Sequence, residues 1–417
     1  MNAGTFQLIF FVLTFAGTGY AVKTCSTWQD YWNFFGANSC RENLDADDEF
    51  VGIVGRWGKK VETHEITTYD GYILTLFRIV SNEQNASPVL LLHGIFMNSL
   101  ALVNRGKKSL AHQFAEKGYD VWLLNWRGTK YSKKHIALKS TDKAYWSFSL
   151  HELGIYDLPQ ALQEIKKANS QKVLTVGFEI GNTAAFIYAS TYPDEAKKCL
   201  SGMVALSPTG APINVGFFTK MMFYSVPVLM KPMLLYFYHG EVPAIYQNFR
   251  ATVFCRKSGI WFARFCDASF MMPTGLDIKQ QDPDTIPVIV ALNKDSNSLM
   301  TFEHFYQMAV NRNFQQFDYG DEKNRAMYGK NKPPSYDLSK INVPQLFFVG
   351  RNDKAGTLQD ATVMYQHIPS EYQQEFYVIE YEKFGLADFV QAKDINDFLH
   401  SHLMSSVTNL VPPVGAN

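Results

Sequence analysis

Gly177-Phe178-Glu179-Ile180-Gly181 sets one ionisable side chain between two glycines. It joins an apolar run, Val173-Leu174-Thr175-Val176, to a helix-compatible run from Asn182 to Ala189. The spacing G-x-S-x-G belongs to a sharp strand-to-helix turn that lifts its central side chain above a sheet edge, while the glycines let backbone and helix crowd together. A serine there would be the nucleophile of an acyl transfer; this chain carries Glu179 instead. Burial raises the pKa of a carboxyl at such a turn and the helix N-terminus behind it lowers it, so its charge depends on packing.

The elements around the turn follow from hydrophobic patterning. Thr63 to Ile79 alternates about Asp70-Gly71 and predicts a β-hairpin at an antiparallel sheet edge. Pro88 to Leu92, a helical stretch from Leu110 to Lys117, and Val121 to Leu124 give the strand-helix-strand rhythm of a parallel sheet. Val173 to Val176 and Gly202 to Leu206 continue it, and Gln345 to Val349 resumes it. Between Ser207 and Leu338 the rhythm stops, and Phe, Met, Tyr, Leu and Pro dominate. That segment predicts a mostly helical cap over the carboxyl edge of the sheet. Pro227, Pro232, Lys220 and Lys231 break its most apolar stretch and argue against a membrane span. The resulting division is 1–21, 22–206 as the first part of the core, 207–338 as cap, 339–405 as the second part of the core, and 406–417 as a loose tail.

The bulk composition narrows the function classes. The chain has 417 residues, enough for a large core, with 39 basic and 39 acidic side chains, so no basic face draws it to nucleic acid. Phe6 to Ala16 is apolar, too short to span a bilayer, and followed by small residues up to Ala21. This predicts a secretory signal peptide over 1–21. The five cysteines, Cys25, Cys40, Cys199, Cys255 and Cys266, suit an oxidising compartment. Cys255 with Cys266 is the favoured disulfide by proximity in the chain, Cys25 with Cys40 the second choice, and one thiol is left over. No Cys/His spacing supports a metal site, and no cofactor motif is present. Asn85-Ala86-Ser87 is a glycosylation sequon weakened by Pro88.

An ordered set of motifs resembles the acid lipase family, which contains the gastric and lysosomal acid lipases. The set runs Asp70-Gly71-Tyr72-Ile73-Leu74, Leu91-Leu92-His93-Gly94, Gly118 to Leu123 with Asn125 and Arg127-Gly128, then Tyr156-Asp157-Leu158-Pro159. Phe314 to Gly320, Pro333 to Leu338 and Gly350-Arg351-Asn352-Asp353 complete it, covering nearly the whole mature chain. The resemblance implies an α/β-hydrolase core, with a mostly parallel sheet and an inserted helical cap, that cleaves triglycerides or sterol esters with a Ser, Asp, His triad. It also implies a disulfide in the cap near Cys255 and Cys266, an extracellular or lysosomal location, and a lipid or fatty-acyl ligand, with transient contact between the cap and a lipid surface.

Carried over residue by residue, the resemblance puts Glu179 at the nucleophile, Asp353 at the acid and Leu386, in Leu386-Ala387-Asp388-Phe389, at the histidine; a one-residue gap would put Gly385 there. His93-Gly94 matches the oxyanion loop, making the N–H groups of Ile95 and Ile180 the two donors, although the family usually has Gln at Ile180. Asp353 is followed by Lys354-Ala355-Gly356-Thr357 where the family has Leu, Ala and Pro. Asp353 has a second reading, as a cap for the helix near Gln359 or a brace for its loop. Ester hydrolysis needs a nucleophile, a base and a group that orients the base, and only the last is present. Glu179 could itself attack, as an elbow aspartate does in related dehalogenases and epoxide hydrolases, but those enzymes still need a histidine to activate water. The leading expectation is a secreted, inactive acid-lipase homologue that binds or carries lipid; the alternatives are an active lipase or esterase, and a storage or interaction protein on the same scaffold.

Overall fold

The structure, a computed structural model, describes residues 22–32, 40–243, 260–292 and 295–414. The predicted signal peptide and Cys255 lie outside the described residues. A nine-stranded sheet forms the centre, and its strands are labelled β1 to β9 in chain order: β1 Val61–Thr67, β2 Tyr72–Ile79, β3 Pro88–Leu92, β4 Asp120–Leu124, β5 Lys134–His135, β6 Val173–Phe178, β7 Leu200–Leu206, β8 Gln345–Val349 and β9 Gln373–Val378. Their spatial order is β9-β8-β7-β6-β3-β4-β2-β1, with β5 also paired to β2. β1, β2 and β5 are antiparallel and the other contacts parallel, apart from the β2–β4 seam. The central strands β3, β4, β6 and β8 are buried along their whole length, as expected where helices cover both faces of a parallel sheet.

Three of the sequence motifs meet in one buried ion cluster beside the antiparallel edge. The fully buried Arg127 donates from Nη1 to Asp70 at 2.5 Å and from Nε to Asp157 at 2.8 Å, and its guanidinium lies 3.9 Å from the Tyr72 ring centroid. This ties the β1–β2 turn to the loop after β4 and to the start of the helix Leu158–Ala168. The late motifs converge as well: Tyr336 N–H donates to the Phe314 carbonyl, and the Tyr336 hydroxyl bonds His151 Nδ1 at 2.7 Å.

Between β7 and β8 the described chain is mostly helical, with helices Phe217–Ser225, Lys231–Phe237, Ile260–Met271, Ile286–Leu292, Leu299–Asn311 and Asp321–Tyr328. Glu241–Val242 and Asn297–Ser298 add a short antiparallel pair. No helix among the described residues is long and apolar enough to cross a membrane. Two details, at β9 and in the last helix, differ from the sequence-based expectation. β9 was not foreseen, because this edge strand reads Gln-Gln-Glu-Phe-Tyr-Val and is only half buried, so it has no apolar run. Cys25 and Cys40 are bonded, as the second of the two expected pairs, and join a two-stranded ribbon in which they face each other. Cys266 is also disulfide-bonded, while Cys199 is free. The last helix, Ser401–Leu410, runs past Ser405 because Val407 is buried against the sheet layer.

Replacing Arg127 by leucine leaves Asp157 buried without its cation. We expect Arg127→Leu to lose about 3–5 kcal/mol of unfolding free energy in urea; a loss below about 1 kcal/mol would show that the cluster does not hold the edge to the core.

Candidate active site

The elbow exists, and packing explains its glycines. A Cβ on Gly181 would sit 2.6 Å from the Leu92 carbonyl of β3, and one on Gly177 would collide with the Asn182 side chain. Asn182 in turn donates to the Leu206 carbonyl at 2.7 Å, fixing the elbow helix, Ile180–Thr191, to the end of β7. Between these contacts Glu179 is held at φ 52°, ψ −113°, a conformation that costs a non-glycine residue about 1–3 kcal/mol. The Glu179 carbonyl accepts from Asn182 and Thr183 N–H groups, so the strained residue also starts the helix.

The Glu179 side chain turns to the N–H of Ile95, which the resemblance assigns to the oxyanion hole. Its Oε2 accepts a hydrogen bond from the backbone N–H of Ile95 at 2.9 Å. Gly94 leaves room for it, since a Cβ there would lie 2.6 Å from the same oxygen. Ile180 is buried as the first residue of the elbow helix, so its N–H is among those without a partner inside the helix. His93 supports the loop as a neutral ring: Nδ1 bonds the Gly94 carbonyl, Nε2 accepts from Trp126 N–H, and burial lowers its pKa to about 4. Burial raises the Glu179 pKa to about 7, the Ile95 N–H opposes that, and the nearby Asp353 adds to it. Desolvation therefore outweighs the hydrogen bond that favours the anion.

Asp353 lies in the loop after β8, buried, and both its oxygens are taken. Oδ1 accepts from the N–H groups of Ala355 at 2.8 Å and Gly356 at 2.9 Å, and Oδ2 accepts from the Ser207 hydroxyl at 2.6 Å. Burial raises its pKa to about 6 against these three donors. Of the structural readings open to it, bracing the loop is realised; the helix Leu358–His367 is capped instead by the Thr357 side chain.

Leu386 is buried in an apolar cluster that includes Phe178, Phe384 and Phe389. Its N–H and that of Lys354 both donate to the Thr274 carbonyl at 3.2 Å, so one cap residue links the acid loop to the Leu386 loop. Gly385 has no room for a side chain, because a Cβ there would lie 2.5 Å from the Gly275 carbonyl. All ten histidines are among the described residues, and none hydrogen-bonds Glu179 or Asp353. His367 bonds the Val363 carbonyl, His400 bonds Asn396 and His402 bonds Glu375. Among the described residues no three His, Cys, Asp or Glu side chains form a metal-binding group.

Two features of the site were not read from the sequence. One is the carboxyl on Ile95, which needs the side-chain rotamer. The other is Ser207, a residue at φ 53° whose only signal was its place directly after a predicted strand.

Comparison with known proteins agrees with this fold. A family model described as the partial alpha/beta-hydrolase lipase region matches residues 50–106, and one described as the alpha/beta hydrolase fold matches residues 87–381. The human protein named lipase member K is 30% identical over 361 residues, covering 81% of this chain and 88% of that protein. The chain belongs to the acid lipase family. Lipase 1 of Drosophila melanogaster is 29% identical, covering 87% and 81% of the two chains, and human gastric triacylglycerol lipase is 28% identical, covering 85% and 90%. A solved structure of a putative lipase from Sulfolobus solfataricus superposes with TM-score 0.55 at 15% identity, covering 84% of this chain and 93% of that one. At that identity it supports the α/β-hydrolase fold alone.

Folded Glu179 keeps its proton up to about pH 7, whereas an unfolded glutamate releases it near 4.5. Its raised pKa therefore favours the folded state fully below pH 4.5, and that contribution is lost as pH rises through 7. Glu179→Gln removes the titration, so we expect its unfolding free energy to gain on the native chain by about 3 kcal/mol between pH 4.5 and pH 8. Parallel pH profiles would contradict the burial of this carboxyl.

Proposed function

We propose that this protein is a catalytically silent, exported member of the acid lipase family that acts by contact with lipid rather than by ester cleavage. The observation that carries the reading is the Glu179 carboxyl seated on the Ile95 N–H. A carbonyl awaiting attack would need that N–H and would meet a carboxyl group in its place. Leu386 offers no proton acceptor, and Asp353 is engaged with neutral donors. Loss of the nucleophile or of the base alone costs a serine hydrolase on the order of a million-fold in turnover, and the losses are not additive. A covalent ester on Glu179 has no histidine to direct water at it.

Contact with lipid is supported by the outer face of the cap. Phe217, Leu229, Tyr236 and Phe237 are 74%, 75%, 77% and 67% exposed, and Met221, Val228 and Met233 lie among them in the sequence. Apolar side chains grouped in this way mark an interaction surface. Lys220 stands in the same stretch, which suits an anionic lipid surface, while Lys231 is paired with Glu303. Export is supported by the apolar N-terminal segment and by the disulfide between Cys25 and Cys40.

Purified protein should hydrolyse p-nitrophenyl butyrate and trioctanoin no faster than a buffer blank between pH 4 and pH 8; turnover abolished by Glu179→Ala would overturn the silent-site reading. Binding to vesicles of phosphatidylcholine with phosphatidylglycerol should weaken at least about tenfold in the double variant Leu229→Ser, Phe237→Ser, since each side chain carries about 1.5–3 kcal/mol when buried. Unchanged vesicle binding would remove the cap face from the account.

A further inference from the structure

The residues after Asp353 depart from the family pattern, and the structure relates that departure to a side chain on another strand. Ser207 follows β7 at φ 53° and is wholly buried. Its backbone is fixed from several sides: its N–H donates to the Phe348 carbonyl at 3.0 Å, and its carbonyl accepts from the Thr209 hydroxyl at 3.1 Å and from Asn182 at 3.4 Å. Held this way, the hydroxyl points to Asp353 Oδ2 at 2.6 Å. Gly356 lies against the same hydroxyl, and a Cβ at 356 would collide with it. Gly356 therefore has two roles: it makes space for Ser207 and donates its own N–H to Asp353 Oδ1. Enclosed between Asp353 and Gly356, the Ser207 oxygen has no opening for a substrate and serves as a donor only.

We propose that Ser207, seated on Gly356, is a positioning residue that has taken over Asp353, occupying the carboxyl oxygen that would orient a catalytic imidazole, so that Ser207 is the third position at which ester hydrolysis has been lost. The inference rests on the silent-site reading above. Oδ1 already accepts two N–H groups, which leaves Oδ2 for a base. An oxygen has two lone pairs, but each added donor spreads the carboxylate charge and weakens its hold on an imidazolium. Replacing Glu179 and Leu386 alone would thus supply a serine and a histidine while the acid stays engaged elsewhere.

The test compares Glu179→Ser with Leu386→His against the same pair combined with Ser207→Ala. On p-nitrophenyl butyrate the triple variant should exceed the double by at least about tenfold in kcat, with KM within about twofold, since a misoriented triad histidine can cost on the order of 10⁴. The acidic limb of its pH profile should also lie at higher pH, because a freed carboxylate favours imidazolium. Equal kcat and coincident limbs would overturn the proposal. Crystal structures of both variants decide the matter if neither turns over. An imidazole turned from Asp353 in the double and bonded to it in the triple supports the inference. An imidazole on Asp353 while Ser207 is still bonded there, or turned away in both, overturns it. Failure in either form leaves the silent-site reading intact, because that reading depends on the native chain and on Glu179→Ala.

Discussion

The strained turn at residue 179 is the constraint on which the rest of the site depends. Strand β6 and the elbow helix are both buried, and the contacts of Gly177 with Asn182 and of Gly181 with Leu92 leave the backbone between them a single path, with φ near +52°. That path aims the side chain at 179 to the carboxyl edge of the sheet whatever its chemistry. Packing on both sides sustains a geometry costing about 1–3 kcal/mol, so the turn holds with a glutamate at its tip. Strain of this kind is retained as part of the fold, while function depends only on the atoms at its tip.

With a carboxyl at the tip, those atoms satisfy one another. Glu179 Oε2 takes the Ile95 N–H that would stabilise an oxyanion, and Ser207, Ala355 and Gly356 satisfy Asp353. Leu386 fills with hydrocarbon the place to which the resemblance assigns the base, and the cap residue Thr274 bonds to both loops around it. Two carboxyls are buried, one with its pKa near 7 and one near 6, and Asp353 adds to the cost of ionising Glu179. Burial favours the protonated form of both carboxyls.

Much of this was legible from the chain because the motifs report local geometry. The elbow could be read from glycine spacing and from apolar runs on either side, and the parallel strands from continuous hydrophobic segments that need no partner to be recognised. The cluster of Arg127 with Asp70 and Asp157 showed only as three separate motifs, since nothing in their spacing says that they meet. Strand β9 escaped notice because a half-exposed edge need not be apolar. Ser207 escaped notice because its role comes from a left-handed backbone and a glycine some 150 residues away, neither of which leaves a periodic signal. The charge balance at Glu179 could not be read either, as it follows from how completely water is excluded.

Carbon-13 NMR of the Glu179 side-chain carboxyl, followed through a pH titration with Glu179→Gln used for assignment, tests the self-occupied site most directly. The account predicts a midpoint close to pH 7, with the Ile95 amide shifting in step because it donates to that carboxyl. A midpoint near 4.5 with an unresponsive Ile95 amide would place the side chain in water and leave the oxyanion site open, contradicting the account.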